Sequence, residues 1–150
     1  MQNLRSIGAT FVFSAIALLA GCQGNSVPTS EVTGIVTLDG TPLELIHIEF
    51  WPVGDGQRSI GKTDESGKFA LELDDLSKKG AAIGNHKVML RDTWPMKDNV
   101  LSRSGEWIDN SKGKKSRISN KYYDVSTSPL EFEVKSGNDN HFEIKALPRR

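Results

Sequence analysis

Hydrophobic and polar residues alternate along most of this chain. Val32, Gly34, Val36 and Leu38 fall on one face and Thr33, Ile35 and Thr37 on the other, which predicts a half-buried strand. Asp39-Gly40 follows, a pair suited to the positive φ angles of a two-residue hairpin turn. Residues 45–51 come next, with Ile46, Ile48 and Phe50 facing one way and His47 and Glu49 the other. Gly54-Asp55-Gly56 breaks that run, and residues 58–63 form a short strand closed by the turn Asp64-Glu65-Ser66-Gly67. In residues 68–74 Phe69, Leu71 and Leu73 point inward; residues 86–92 center on Val88 and Leu90. After a long gap Leu130, Phe132 and Val134 alternate with Glu131, Glu133 and Lys135. Residues 136–140 turn, and Phe142, Ile144 and Ala146 share one last face. Seven strand-like segments with no amphipathic helix predict an all-β, antiparallel sandwich with a long loop between strands five and six. The continuous apolar runs of a buried parallel sheet are missing.

Residues 7–20 break the alternation. Eleven of these 14 positions are apolar and none is charged, behind a short polar start with one cation, Arg5. That is the pattern of an export signal, too short for a membrane-spanning helix of about 20 residues. Leu18-Leu19-Ala20-Gly21-Cys22 resembles the lipobox of bacterial lipoproteins. The resemblance implies cleavage before Cys22, a diacylglyceryl thioether on its thiol, and acylation of the new amino terminus. More than one buried acyl chain is what stable anchoring needs. Cys22 is the only cysteine, which excludes an intramolecular disulfide scaffold and a Cys-only metal cluster. Residues 22–30 are small and polar with one proline, and read as a flexible tether. Gln23 rather than Asp follows the cysteine, so the inner-membrane retention signal of some bacteria is missing; this leans toward the outer membrane and leaves both open. The expected organisation is a signal at 1–21, a tether at 22–30, a sandwich at 31–147 and a tail at 148–150.

The sandwich segments carry a second resemblance. Val32-Thr33-Gly34-Ile35-Val36-Thr37-Leu38-Asp39-Gly40-Thr41-Pro42-Leu43 is followed by Ile48-Glu49-Phe50-Trp51-Pro52 and by Thr63-Asp64-Glu65-Ser66-Gly67-Lys68-Phe69. Together with Gly84-Asn85-His86-Lys87-Val88, these are similar to the carboxypeptidase regulatory-like module of the transthyretin-like (prealbumin-like) sandwiches. The family pattern runs V-x-G-x-V-x-x-D-G-x-P-L, V-x-F-x-P, T-D-x-x-G-x-F and G-x-Y-x-V, and His86 stands where an aromatic is usual. Tyr122-Tyr123-Asp124 and Thr127-Ser128-Pro129-Leu130 also resemble a segment of small lipoproteins of planctomycete-type bacteria. The resemblance implies a seven-stranded Greek-key sandwich of transthyretin type.

Composition narrows the function classes. With 150 residues the chain favours one domain. Nineteen cations balance 19 anions, which argues against a protein built mainly to coat nucleic acid or an anionic membrane. Enzymes of the resembling superfamily need residues this chain lacks. It ends Ala146-Leu147-Pro148-Arg149-Arg150, without the Tyr-Arg-Gly-Ser terminus of hydroxyisourate hydrolases. His47, His86 and His141 do not have the spacing of an intradiol dioxygenase iron site, and read as solvent-facing strand residues. The first strand offers no lysine for an isopeptide bond. No nucleophile–base order or phosphate loop stands out, and Asp64-Glu65 and Asp74-Asp75 read as turn-formers. No catalytic residue, metal or cofactor is expected.

Residues 93–121 are the exception to this plainness, because a loop of that length is uncommon in a compact domain. They hold Trp94 and Trp107, and their end carries Lys112, Lys114, Lys115, Arg117 and Lys121 with no acid between. Aromatics and cations together suit a contact surface for an acidic protein, a polyanion or anionic headgroups. The competing reading is a solvated insertion covering a sheet edge. Nucleic acid is a poor partner for an exported, tethered chain. The sequence therefore leads to a non-catalytic lipoprotein of the bacterial cell envelope, anchored at Cys22, with Trp94, Trp107, Lys112, Lys114, Lys115 and Arg117 as partner-binding residues. The alternative is a carbohydrate-binding module that stacks sugars on Trp51, Trp94 or Trp107.

Overall fold

The computed structural model describes residues 27–137 and 139–150. Cys22, the signal at 1–21 and the first part of the tether lie outside those residues. Thirteen strands follow in chain order: β1 (Thr29–Ser30), β2 (Val32–Leu38), β3 (Thr41–Pro42), β4 (Ile46–Pro52), β5 (Ser59–Lys62), β6 (Lys68–Ala70) and β7 (Glu72–Leu73). Then come β8 (Ala81–Ala82), β9 (Gly84–Asp92), β10 (Val100–Leu101), β11 (Trp107–Ile108), β12 (Leu130–Val134) and β13 (Asn140–Ala146). Single 3-10 turns lie at Trp94–Met96 and Asn120–Tyr123. The described chain is all-β.

One sheet runs β12-β9-β4-β5-β7 and is antiparallel throughout. The second is β13-β2-β3, with β6 also paired to β2. Their apolar faces meet in one core. Ile46, Ile48, Phe50, Val88, Leu90 and Val134 come from the first sheet, and Val32, Val36, Phe69, Ile144 and Ala146 from the second. Phe132 and Phe142 join the layers with ring centroids 4.6 Å apart. The alternation read from the sequence thus sorts side chains correctly at both faces. Asp39 and Gly40 adopt φ of 50° and 81°, and Leu38 faces Thr41, as a tight hairpin requires. Gly34 is needed for closeness: a Cβ there would lie 2.3 Å from the Phe142 carbonyl oxygen and 2.6 Å from the Phe69 ring.

Four features depart from the expectation. Among the described residues the strands number thirteen rather than seven, because bends and turns split the runs and add short pairs. The sheets are not wholly antiparallel, since β13 lies parallel to β2 from Asn140↔Val32 to Ala146↔Leu38. β12 and β13 therefore lie in different layers and are not paired as a hairpin. Buried Asn140 holds the link between them: its side chain accepts from Lys135 N at 2.8 Å and donates to Lys135 O at 2.9 Å. Thr29 and Ser30, expected within a flexible tether, pair instead with Ala82 and Ala81. The tail is tied down as well: Pro148 bridges to Ile118, and Arg149 N donates to Arg117 O at 3.0 Å.

The long segment 93–121 contributes to the core. Its Ile118 is buried, as is Tyr122 just beyond it, whose hydroxyl accepts from Leu147 N at 3.0 Å.

Candidate functional site

β9 starts beside β12 and ends at Asp92, opposite Ile46, so residues 93–121 leave one end of the sandwich. Both stems of the loop are fastened there. At the first, Thr93 donates its N–H and its hydroxyl to Leu45 O, at 2.9 and 2.7 Å. Leu45 holds φ of 62°, an uncommon backbone state for a bulky residue, and presents that carbonyl to the loop. At the second, Arg117 meets Asp92. The Asp92 side chain has no exposure; its Oδ2 accepts from Arg117 N at 2.7 Å and Nε at 3.0 Å, and its Oδ1 from Nη2 at 2.8 Å and Trp94 N at 3.0 Å. Arg117 Nη2 also donates to Glu44 O at 2.6 Å.

Trp94 sits at the middle of this knot. Lys114, Lys97 and Arg117 lie 5.1, 5.4 and 5.4 Å from its ring centroid. Lys114 pairs with Asp98, and that hydrogen bond holds the Asp98 carboxyl below its ordinary range. Three of the six partner-binding candidates, Trp94, Lys114 and Arg117, are thus engaged within the protein. Their opposite charges and aromatic face fold the loop onto itself, a use that sequence order alone does not distinguish from external binding.

The other three point outward. Lys112 and Lys115 are exposed, and Lys112 opens a turn with φ of 49° ahead of Gly113 at 75°. Trp107 is 73% exposed on the β10–β11 hairpin. Val100, Leu101 and Ile108 of the same hairpin are exposed too, and none was prominent in the sequence pattern. Leu101 faces Trp107 and Val100 faces Ile108, so both sides of this two-stranded ribbon show apolar surface. Arg103 and Glu106 lie in the intervening turn, where Ser102 O accepts from Gly105 N at 3.0 Å and Ser102 Oγ from Glu106 N at 3.0 Å.

A second polar cluster covers the outer face of the five-stranded sheet. Glu49 Oε2 accepts from Trp51 Nε1 at 3.0 Å and Arg58 Nη1 at 3.1 Å, while His47 Nε2 lies 3.4 Å from Oε1. Arg58 continues to Asp74 at 2.9 Å and lies 5.2 Å from the Trp51 ring centroid. Each charge is answered within the network, and the guanidinium covers the indole. Trp51 and Trp94 therefore both offer faces already occupied by cations, which leaves Trp107 as the bare aromatic surface among the described tryptophans.

The histidines separate. His47 belongs to this outer network, His141 Nδ1 lies 3.0 Å from Thr33 Oγ1, and His86 is buried rather than solvent-facing. His86 Nδ1 donates to Gly84 O at 3.0 Å, and Nε2 has no partner. Burial lowers its pKa from the ordinary value, since a charged imidazolium there would be poorly solvated. Phe50, 5.7 Å away, and the neighbouring Phe132 complete an aromatic pocket around it. Among the described residues no three His, Cys, Asp or Glu side chains gather as a metal site, and no helix is long and apolar enough to cross a membrane.

Asp64 shows what the acidic turns do. Its Oδ1 accepts from Ser66 Oγ and from Ser66 N and Lys68 N, and these bonds lower its pKa. Asp75, Asp109 and Asp124 repeat the device two residues before Ser77, Ser111 and Ser126. Compared with protein families, curated proteins and solved structures, the chain matches none.

Proposed function

We propose that this chain is an exported bacterial lipoprotein, held in the cell envelope by acyl chains on Cys22, whose β-sandwich binds an envelope partner and performs no catalysis. The observation that carries the binding role is the hairpin β10–β11. It displays Val100, Leu101, Trp107 and Ile108 to solvent on a loop whose stems are clamped by Asp92–Arg117 and Thr93–Leu45. A rigid base under exposed apolar residues is economical for binding, because little ordering entropy remains to be lost on contact. Arg103 in its turn and Lys112 and Lys115 farther along the same loop are exposed cations that suit an acidic protein or a polyanionic glycan. The lipobox-like Leu18-Leu19-Ala20-Gly21-Cys22 supports the anchor. The ordered motifs from Val32 to Val88, with Gly34 pressed against Phe69 and Phe142, support a Greek-key sandwich of transthyretin type.

The test is crosslinking and co-purification from native membranes. Trp107→Ala combined with Lys112→Ser and Lys115→Ser should lose the captured partner while the acylated chain stays in the membrane fraction. Unchanged capture would overturn the assignment of the surface. Sugar recognition is the second reading, and bare Trp107 is the residue that favours it. Binding to a neutral glycan that resists salt but disappears with Trp107→Ala would establish it.

A further inference from the structure

We infer that the sandwich stands upright on its anchoring bilayer, with Val53 and Leu76 touching lipid and the β10–β11 hairpin presented away from it. This rests on the lipid anchor proposed above.

The two ends of the sandwich differ in what they carry. Val27 lies at the end where β9 begins: Ile83 N donates to Pro28 O, and Thr29 pairs with Ala82. It borders a shallow groove formed with Gly56, Leu73, Lys78 and Ala82, between the loop at 53–58 and the loop at 74–79. Those two loops hold Val53 and Leu76, 69% and 64% exposed, which with Trp107 are the most exposed large apolar side chains of the described protein. Neither hangs loose. Val53 N donates to Asn85 O at 2.9 Å, and Leu76 N to Leu73 O at 2.7 Å. Leu76 also keeps φ of 57°, a conformation glycine or asparagine adopts at less cost. A strained, solvent-facing leucine gains nothing from the protein around it, whereas a lipid surface would bury it.

Reach sets the arrangement. Val27 lies five chain steps after Cys22, so even fully extended that stretch spans at most about 18 Å. An acyl chain at Cys22 therefore holds this end close to the headgroups. The nine residues of β9 carry the chain roughly 30 Å to the opposite end, where the hairpin begins. Charge agrees with this polarity. In the lower loops Asp55, Asp74 and Asp75 are balanced by Arg58, Lys78 and Lys79, so the contact is apolar and neutral. Residues 93–121 at the hairpin end carry seven cations against three acids, and the partner then lies in the envelope space beyond the anchoring membrane.

The test uses the acylated full chain in phosphatidylethanolamine–phosphatidylglycerol vesicles containing doxyl-labelled lipid. Val53→Cys, Leu76→Cys and Leu101→Cys, each bearing an environment-sensitive fluorophore, report contact with lipid; all three positions are exposed, so folding is spared. Emission should be lost to quenching at 53 and 76 and retained at 101. Quenching at 101 alone, or at none of the three, would overturn the upright arrangement while vesicle flotation still upholds the anchor. Failure of the chain to float would overturn the anchor reading, and the orientation with it.

Discussion

Asp92 and Arg117, 25 residues apart in sequence, form a doubly bonded pair at the foot of the loop: Oδ1 accepts from Nη2 at 2.8 Å and Oδ2 from Nε at 3.0 Å. The carboxylate is wholly buried, while the guanidinium keeps 23% of its exposure. Removing the acid would leave a cation facing a desolvated pocket, and removing a fork-shaped donor would leave an acid with too few partners.

Asp92→Asn should therefore destabilise the protein by about 3 kcal/mol, read from the urea midpoint. Limited proteolysis between Lys97 and Lys115 should appear before global unfolding. Arg117→Lys should not rescue stability, because an ammonium cannot reproduce the planar fork. An Asp92→Asn protein with an unchanged midpoint and an intact loop would contradict the clamp.

His86 makes stability depend on pH. Its folded pKa is lowered, so the native state resists the proton that the unfolded chain accepts near pH 6.5, the value on the order of a free histidine. This stabilisation is full above about pH 6.5 and declines as the pH falls toward the lowered folded value. His86→Phe should flatten this part of the profile, raise stability at about pH 5.5 relative to wild type, and keep the pocket beside Phe50 and Phe132 filled. Parallel melting profiles in the two proteins would contradict it.

The two loop tryptophans should behave oppositely. Trp94→Ala removes an aromatic face shared by three cations and should cost about 2 kcal/mol. Trp107→Ala should change stability by no more than about 0.5 kcal/mol, because its side chain lies in solvent. Thermal melts of both variants check this, and an equal loss would place Trp107 in the fold rather than at the contact surface.

Gly34→Ala should cost about 2 kcal/mol, since the new methyl would press on the Phe142 carbonyl and the Phe69 ring. A melting temperature equal to wild type would show that the layers have slack at this point.

The parts legible in the sequence are those governed by neighbours along the chain. Alternation placed Phe69, Leu71 and Leu73 inward, Asp39-Gly40 marked its hairpin, and Asp64-Glu65-Ser66-Gly67 its turn. What escaped depends on residues far apart. The parallel pairing of β13 with β2 follows from a crossing between layers, which a turn-rich stretch does not announce. Ile118 and Tyr122, isolated among cations, look like surface residues until the sandwich is closed over them. Trp94, Lys114 and Arg117 carry the same signal whether they bind outward or inward, and only the position of Asp92 and Asp98 decides. Val53 and Leu76 sit in short polar loops that periodicity passes over.

The intact mass of the mature protein recovered from bacterial membranes tests the central claim most directly. The account predicts a polypeptide beginning at Cys22 with a diacylglyceryl thioether and an N-acyl chain, and an unprocessed, unacylated product for Cys22→Ser. A soluble species that retains Met1 and carries no lipid would contradict it.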